Sequence, residues 1–254
     1  MIASLPMYDW PELREATDAW WAGIARHMGV SGALHRGTDH TAPWRQTGLL
    51  FSQTCGYPFT HEFRGKLKLV ATPHYAVDGC VGPNYQSIVF ARRAAPLGNF
   101  RGTIAAVNNP ESMSGMLALQ LVFGPLAKDG HFFTGAIATG GHIASLNAVR
   151  VGAASVCAVD AVCVALARRH RPDYLEGLVE IARSPRVPSL PYVTVSGDVE
   201  RLRSALAAAF ADPVLQETRD HLFLNGYSLL DPQAYDLIID LETTMQRAGG
   251  LKLL

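Results

Sequence analysis

The sequence has few charged residues and no excess of either sign. Charged residues make up 17% of the 254 residues, and Lys+Arg and Asp+Glu both number 22, so the formal net charge is zero. Nucleic-acid surfaces normally carry a basic excess, and so do polybasic membrane patches. We therefore predict that the chain does not bind nucleic acid. Hydrophobic residues make up 48%, which is enough for a substantial core and excludes a disordered chain.

Long apolar runs and a secretory leader are also missing. No apolar run reaches the ~18 residues that a membrane-spanning helix needs. The first nine residues lack a basic segment and include Pro6 and Asp9, which does not fit a signal peptide. The four cysteines form no Cys-x-x-Cys pair, as is typical of free thiols in a reducing compartment. We expect a cytoplasmic protein from the sequence as written, or a periplasmic one if a leader has been removed.

Familiar catalytic and metal-binding motifs are missing too. The chain contains no Gly-x-Ser-x-Gly, Walker loop, Gly-x-Gly-x-x-Gly or His-Glu-x-x-His, and its nine histidines do not cluster at metal-ligand spacings. Cys55 and His142 could form a nucleophile and a base, but no third group is evident to orient the base. We therefore predict no catalytic residue, no metal and no cofactor, and we favour a binding protein over an enzyme.

What is present is a regular alternation of strand and helix patterns. Strands are predicted at 103–107, 132–138 and 155–159, and helices at 112–123, 143–151 and 162–169. Such alternation is typical of right-handed crossovers around a mostly parallel sheet. The chain from residue 199 onward is predicted to be helical, with helices at 199–211, 213–223 and 232–248. Helices and strands on both sides of the central block indicate two lobes, with the second inserted into the first: lobe 1 at 1–92 plus 190–254, and lobe 2 at 93–189.

The most informative motif is Ser112-Met113-Ser114-Gly115, at the point where a predicted strand ends and a helix begins. In open α/β sheets, ligands bind beyond the carboxyl ends of the strands, where the first-turn N–H groups of a helix favour an anion. The hydroxyls of Ser112 and Ser114 add donors, and Gly115 lets an oxyanion approach the backbone. The alternative is that Ser112 or Ser114 serves only as a helix N-cap.

The same arrangement recurs after the next two strands. Thr139-Gly140-Gly141-His142 opens one helix and Asp160 precedes another. We predict that Thr139, the glycine N–H groups and His142 face the same crevice, where Asp160 would accept a hydrogen bond from a ligand hydroxyl or amine. A surface or capping role is the alternative for His142, and an N-cap is the alternative for Asp160.

Further candidates come from the first half of the chain. Gln53 and Thr54 follow a buried strand, Tyr85 follows the tight turn at Gly82, and Tyr8 ends the first predicted strand. These polar and aromatic side chains could line a pocket. The alternative for each tyrosine is packing with its hydroxyl in water.

Several of these segments together resemble a known family. The segments are 52–58, 82–87, 106–108, 112–116 and 139–142. In this order and spacing they are similar to the phosphate/phosphite/phosphonate-binding proteins of ABC transporters, over roughly residues 2–165. The resemblance implies a type II periplasmic-binding-protein fold, in which two α/β lobes hold a small oxyanion or organophosphorus ligand in a cleft between them without chemistry.

The resemblance also implies roles for individual residues. Ser112, the backbone N–H of Met113, and Ser114 would hold the phosphonate oxygens. His142 would donate to an oxygen, Asp160 would be the acid of the second lobe, and Tyr85 would be a cleft tyrosine. An additional acid that holds the amine of aminoalkylphosphonates has no counterpart between His142 and Asp160.

The implied partners are a small anionic ligand and, if the chain is exported, an ABC transporter permease; a monomer and a dimer both fit the composition. The alternatives are a cytoplasmic enzyme of cofactor or metabolite biosynthesis, and a ligand sensor, on the same fold.

Overall fold

The computed structural model describes residues 1–253, in which strands and helices alternate along most of the chain. The strands are β1 (Ile2–Ser4), β2 (Leu49–Gln53), β3 (Lys68–Tyr75), β4 (Cys80–Val81), β5 (Asn84–Tyr85), β6 (Ser87–Ala91), β7 (Ile104–Val107), β8 (Gly135–Ala138), β9 (Val156–Asp160), β10 (Val179–Arg183), β11 (Val187–Pro188), β12 (Tyr192–Thr194) and β13 (Leu224–Ser228). The α-helices are α1 (Arg14–His27), α2 (Gly56–Thr60), α3 (Ala118–Phe123), α4 (His142–Arg150), α5 (Ala161–His170), α6 (Val199–Ala211), α7 (Gln216–His221) and α8 (Asp236–Arg247). A π-helical turn, Met113–Leu117, leads directly into α3.

The chain divides into two compact units. Unit 1 comprises Met1–Ala76, Val81–Pro83 and Pro188–Ala234; unit 2 comprises Val77–Cys80, Asn84–Val187 and the residues from Tyr235 onward. The predicted lobe bounds differ from these units in four places: residues 77–80, 84–92 and those from 235 onward belong to unit 2, and residues 188–189 belong to unit 1. Residues 84–92 belong to unit 2 because β6 pairs with β9 and β10. The C-terminal segment belongs there because Leu251 and Leu253 are part of that unit's core. Leu254, the last residue of the predicted first lobe, lies outside the described residues.

Unit 1 contains a five-stranded sheet in the order β1-β2-β12-β3-β13. β1 is parallel to β2, and β12 is antiparallel to both β2 and β3, so the carboxyl ends of β1, β2 and β3 lie at one edge. Trp20 of α1 is buried and donates a hydrogen bond from Nε1 to the Tyr192 hydroxyl of β12 at 3.1 Å. The prediction that the chain after residue 199 contains only helices misses β13, which lies between two of them and pairs with β3.

Unit 2 contains the sheet that the alternating pattern predicts. Its order is β10-β6-β9-β7-β8, with β7 parallel to β8 and to β9, and β6 antiparallel to β9 and β10. The carboxyl ends of β7, β8 and β9 therefore lie at one edge, together with the amino end of β6, where Ser87 pairs with Asp160. The predicted α/β fold with a parallel block is confirmed.

The core of unit 2 lies against the three parallel strands. Val156 to Val159 of β9 are fully buried, as expected for a parallel strand covered on both faces. Phe123, Phe132 and Phe133 pack on one another with ring centroids 4.9–5.1 Å apart. Among residues 1–253, no helix is both long and apolar enough to cross a membrane.

Candidate functional site

The segment Ser112–Gly115, which we call the serine turn, lies between β7 and α3. Ser112 has extended backbone angles (φ −115°, ψ 127°), and its Oγ accepts a hydrogen bond from the Gly115 N–H at 3.1 Å. The N–H of Leu117 donates to the Ser112 carbonyl at 3.0 Å. This hydrogen bond joins residues five apart in sequence and begins the π-helical turn. Ser112 is therefore an N-cap, as one of the two sequence interpretations proposed.

A line of hydrogen bonds joins the serine turn to the start of α4. Ser112 Oγ lies 3.4 Å from Ser114 Oγ, which lies 2.9 Å from His142 Nε2. Both serines are buried, with 4% and 5% of their surface exposed. Folding therefore brings together three of the predicted residues, which come from the ends of two neighbouring strands.

His142 is the first residue of α4, after a turn that requires glycine. Gly140 has φ +83°, a conformation that residues with a side chain rarely adopt, and Gly141 is the extended N-cap. The residue is half-buried, and its Nδ1 atom has almost no solvent contact. Burial lowers the pKa of His142 to about 4, against a smaller opposing effect of the Ala158 backbone. The ring is therefore neutral near pH 7, and the nitrogen that carries its single proton decides whether Nε2 donates to Ser114 Oγ or accepts from it.

Thr139 holds the turn between β8 and α4 in place. Its Oγ1 lies 2.6 Å from Ser145 Oγ, 3.1 Å from the Val107 carbonyl and 3.2 Å from the Gly141 carbonyl. Its N–H donates to the same Val107 carbonyl at 2.8 Å. The hydroxyl is thus surrounded by protein acceptors, and the predicted contact of Thr139 with a ligand stays a prediction.

Asp160 ends β9 and caps α5. Its Oδ1 accepts hydrogen bonds from the N–H groups of Val162 at 2.7 Å and Cys163 at 3.3 Å, and the residue is almost completely buried. Its charge adds to burial in raising the pKa of the Cys80 thiol to about 12, which keeps that thiol protonated. The N-cap interpretation is therefore observed for Asp160 as well.

Tyr85 lies near Asp160 at the same edge of the unit 2 sheet. It is buried and precedes Gln86, whose carbonyl accepts from the Ala161 N–H at 3.2 Å. Ser87, the next residue, pairs with Asp160 across the two strands. The predicted residues of unit 2 thus follow the ends of adjacent strands in one sheet.

The predicted residues of unit 1 lie at the carboxyl edge of its parallel strands. Gln53 ends β2 and donates from Nε2 to the Tyr75 hydroxyl at 2.9 Å and to the Leu190 carbonyl at 3.0 Å. The Tyr8 ring packs edge-on against Tyr75, with centroids 5.5 Å apart. Thr54 is buried, and its N–H donates to the Pro191 carbonyl at 3.2 Å. Sequence reasoning did not identify Tyr75. This residue ends β3 as Gln53 ends β2, so its position at a strand end could have pointed to it.

Comparison with known proteins identifies the family. The family model described as ABC transporter, phosphonate, periplasmic substrate-binding protein matches residues 2–229. The chain belongs to this family. It is therefore a solute-binding protein, and the resemblance noted in the sequence is confirmed. No curated protein sequence matches the chain.

Solved structures share the fold of this phosphonate-binding family member at low sequence identity. A binding-protein component of an ABC phosphonate transporter from Pseudomonas aeruginosa has a TM-score of 0.76 and 16% identity, covering 98% of this chain and 87% of that one. PhnD1 from Prochlorococcus marinus, in complex with methylphosphonate, has a TM-score of 0.75 and 11% identity, covering 97% and 98%. XAC2383 from Xanthomonas citri, bound to ATP, has a TM-score of 0.70 and 19% identity, covering 98% and 97%. Together with the structure of the periplasmic binding protein BugD, these likenesses show the type II periplasmic-binding-protein fold.

Two cysteines of this family member are buried in its core. Within residues 1–253, no group of three or more His, Cys, Asp or Glu side chains is arranged to hold a metal ion. Burial raises the pKa of the Cys157 and Cys163 thiols, both of which lie in the core. Cys55, the suggested nucleophile, is the N-cap of α2 in unit 1, whereas His142 belongs to unit 2.

Proposed function

We propose that the chain captures a small oxyanion or organophosphorus ligand, of the phosphonate, phosphite or phosphate class, and holds its anionic group at the serine turn. The observation that carries this proposal is the line of hydrogen bonds from Ser112 through Ser114 to His142. It lies where the π-helical turn and α4 begin, and the first N–H groups of a helix have no partner within it. Hydroxyls, an imidazole and such N–H groups are the donors that bind tetrahedral oxyanions.

The remaining unit 2 residues have supporting roles in this proposal. Met113 contributes its backbone N–H, and Gly115 and Gly140 allow the backbone turns. Asp160 and Tyr85 contact the part of the ligand that extends beyond the anionic group. Tyr8, Gln53 and Thr54 of unit 1 are the other residues that the sequence predicts to bind ligand, and this stays a prediction.

The family membership supports a proposal about partners. ABC transporter binding proteins deliver their solute to a membrane permease, so we propose that this chain delivers its ligand to an ABC transporter permease in the periplasm. The description of the matched family, a periplasmic substrate-binding protein of an ABC transporter, supports both parts of this proposal.

The test is the affinity of variants for methylphosphonate, phosphite and phosphate, measured by isothermal titration calorimetry. Ser114→Ala and His142→Ala should each weaken binding of the preferred anion by roughly 10- to 150-fold, because a hydrogen bond to a charged group contributes about 1.5–3 kcal/mol. Ser204→Ala is the matched control, since that exposed hydroxyl donates to the Glu200 carbonyl on α6. Wild-type protein that binds none of the three anions, or a Ser114→Ala variant with unchanged affinity, would refute the proposal.

A further inference from the structure

Asn108 has a buried acceptor that no residue satisfies. It follows β7 directly, four residues before Ser112. Its Oδ1 atom has almost no solvent contact, and no donor among residues 1–253 hydrogen-bonds to it. Buried polar atoms in folded proteins almost always have a partner, so an exception at a binding site points to a group that the ligand supplies.

Gly115 fixes the position of this acceptor beside the serine turn. A Cβ atom at Gly115 would lie 1.7 Å from Asn108 Oδ1 and 2.8 Å from Asn108 Cγ, so only glycine allows the amide to lie against this backbone. The N–H of the same glycine donates to Ser112 Oγ. Gly115 thus contacts both the unsatisfied acceptor and the capping hydroxyl, which places Asn108 Oδ1 at the border of the proposed oxyanion site.

The neighbouring asparagine shows that the turn itself does not require an unsatisfied amide. Asn109 is exposed, and its Oδ1 accepts a hydrogen bond from the Glu111 N–H at 2.7 Å. An asparagine that shapes the loop would use its amide in this way. The Asn108 oxygen is held against Gly115 and has no such bond.

The chemistry of the site then restricts the ligand. Ser112, Ser114 and first-turn N–H groups can donate hydrogen bonds to oxyanion oxygens, whereas a carbonyl-type oxygen such as Asn108 Oδ1 can only accept one. The oxygens of a fully ionised tetrahedral anion carry no hydrogen, so their lone pairs would face the lone pairs of Asn108 Oδ1. A monoprotonated phosphonate or phosphate has a P–O–H group that satisfies it.

We propose that Asn108 Oδ1 accepts a hydrogen bond from the protonated oxygen of the ligand. Asn108 thereby selects monoprotonated phosphonates and phosphates over sulfonates and sulfate, which have the same shape but no proton to donate. This selectivity rests on the proposed function and specifies the protonation state of its ligand.

Methylphosphonate and methanesulfonate form a matched pair for the test. They are compared by calorimetry at a pH at which methylphosphonate is a monoanion, so that both ligands carry one charge. Wild-type protein should bind methylphosphonate more tightly by a factor on the order of 10–100, because a site built to hydrogen-bond a hydroxyl rejects an analogue that lacks it. Asn108→Ala should reduce this ratio to about threefold or less, and the control Asn109→Ala should leave it at the wild-type value.

The Asn108→Asp variant keeps the experiment decisive if Asn108→Ala fails to fold. An aspartate retains the acceptor and has no amide donor, so the preference for methylphosphonate should persist. The added negative charge weakens the binding of both monoanions alike, so the two affinities are compared as a ratio. A ratio near one in this variant would show that the amide acts as a donor and would overturn the inference. Equal wild-type affinity for the two ligands would overturn it while leaving the proposed function intact. Wild-type protein that binds neither ligand would remove the proposed function and the inference together.

Discussion

At the scale of single residues, capping and ligand binding are compatible roles for Ser112. Its oxygen accepts the Gly115 N–H through a lone pair, which does not use the hydrogen of the hydroxyl. A serine can therefore cap a helix and donate to an anion at the same time. The two interpretations that the sequence left open for Ser112 are not exclusive.

His142 makes the stability of the protein depend on pH. Its folded-state pKa of about 4 lies below the ordinary value of 6.5, so the unfolded chain binds a proton more readily. The stabilisation is complete above pH 6.5 and is lost as the pH falls from 6.5 to 4. The unfolding free energy of the wild type should fall between pH 7.5 and 4.5. In His142→Gln this fall should be smaller by roughly 1–3 kcal/mol, as measured by urea denaturation.

The control for this prediction is His131→Gln, because His131 is an exposed histidine of the same unit. It should leave the pH dependence as it is in the wild type. Some dependence should persist in His142→Gln, since burial also lowers the pKa of His74. A wild-type slope in His142→Gln would contradict the assignment.

At the scale of elements, substitutions at two helix caps can distinguish a structural role from a ligand-binding role. Asp160 caps α5 in unit 2, and Asp198 caps α6 in unit 1 through bonds from Glu200 and Arg201. Asparagine caps a helix about as well as aspartate but carries no charge. The Asp→Asn change therefore keeps the cap and removes only the carboxylate.

We expect Asp160→Asn to change the unfolding free energy by less than about 1 kcal/mol, because the amide oxygen keeps the cap. The same change should alter ligand affinity by more than tenfold if the carboxylate contacts the ligand. Asp198→Ala, the matched cap control, should cost about 1 kcal/mol of stability and leave affinity unchanged. Calorimetry and urea denaturation on both variants measure the two effects; unchanged affinity in Asp160→Asn would restrict Asp160 to capping.

Most elements of the central block could be predicted because their apolar pattern is strong. The strand predicted at 155–159 corresponds to Val156–Asp160, and the helix predicted at 162–169 to Ala161–His170. β13 and β10 were missed for a physical reason. β13 contains Asn225 and Gly226, which are poor strand formers, and β10 begins with the exposed residues Val179 and Glu180. Their partners, β3 and β6, supply the stability that their own residues do not.

At the scale of the whole molecule, the C-terminal segment belongs to the core of unit 2. Leu251 is 2% exposed, its carbonyl accepts from Gln120 Nε2 at 2.9 Å, and the N–H of Lys252 donates to the Gly130 carbonyl at 3.0 Å. Sequence order alone placed this segment in the first lobe. Long-range packing decides which unit a segment joins, and the periodicity of apolar residues within a helix does not reveal that packing.

Leu251→Ala should lower the unfolding free energy by about 2–4 kcal/mol, because it opens a cavity in the packed core. Leu237→Ala, on the exposed side of α8 at 42% exposure, should change it by less than about 1 kcal/mol. Thermal or urea unfolding measures both. Equal effects of the two substitutions would place the C-terminal segment outside the core.

The candidate site was predictable in part for similar reasons. Strand-end positions and small polar residues identified Ser112, Ser114, His142 and Asp160 before any contact was known. Asn108 was not predicted, because its significance depends on the missing Cβ atom of Gly115 and on a hydrogen bond that is not made. Neither property can be read from residue types.

The line from Ser112 through Ser114 to His142 also has a consequence for recognition. The rotamers of these side chains are held by bonds within the folded protein, so the ligand does not have to immobilise them. The conformational entropy of ordering the donors is lost when the chain folds, not when the anion binds. A preorganised site of this kind would give a small anion, which offers few contacts, a free energy of association beyond what its contact area alone would provide.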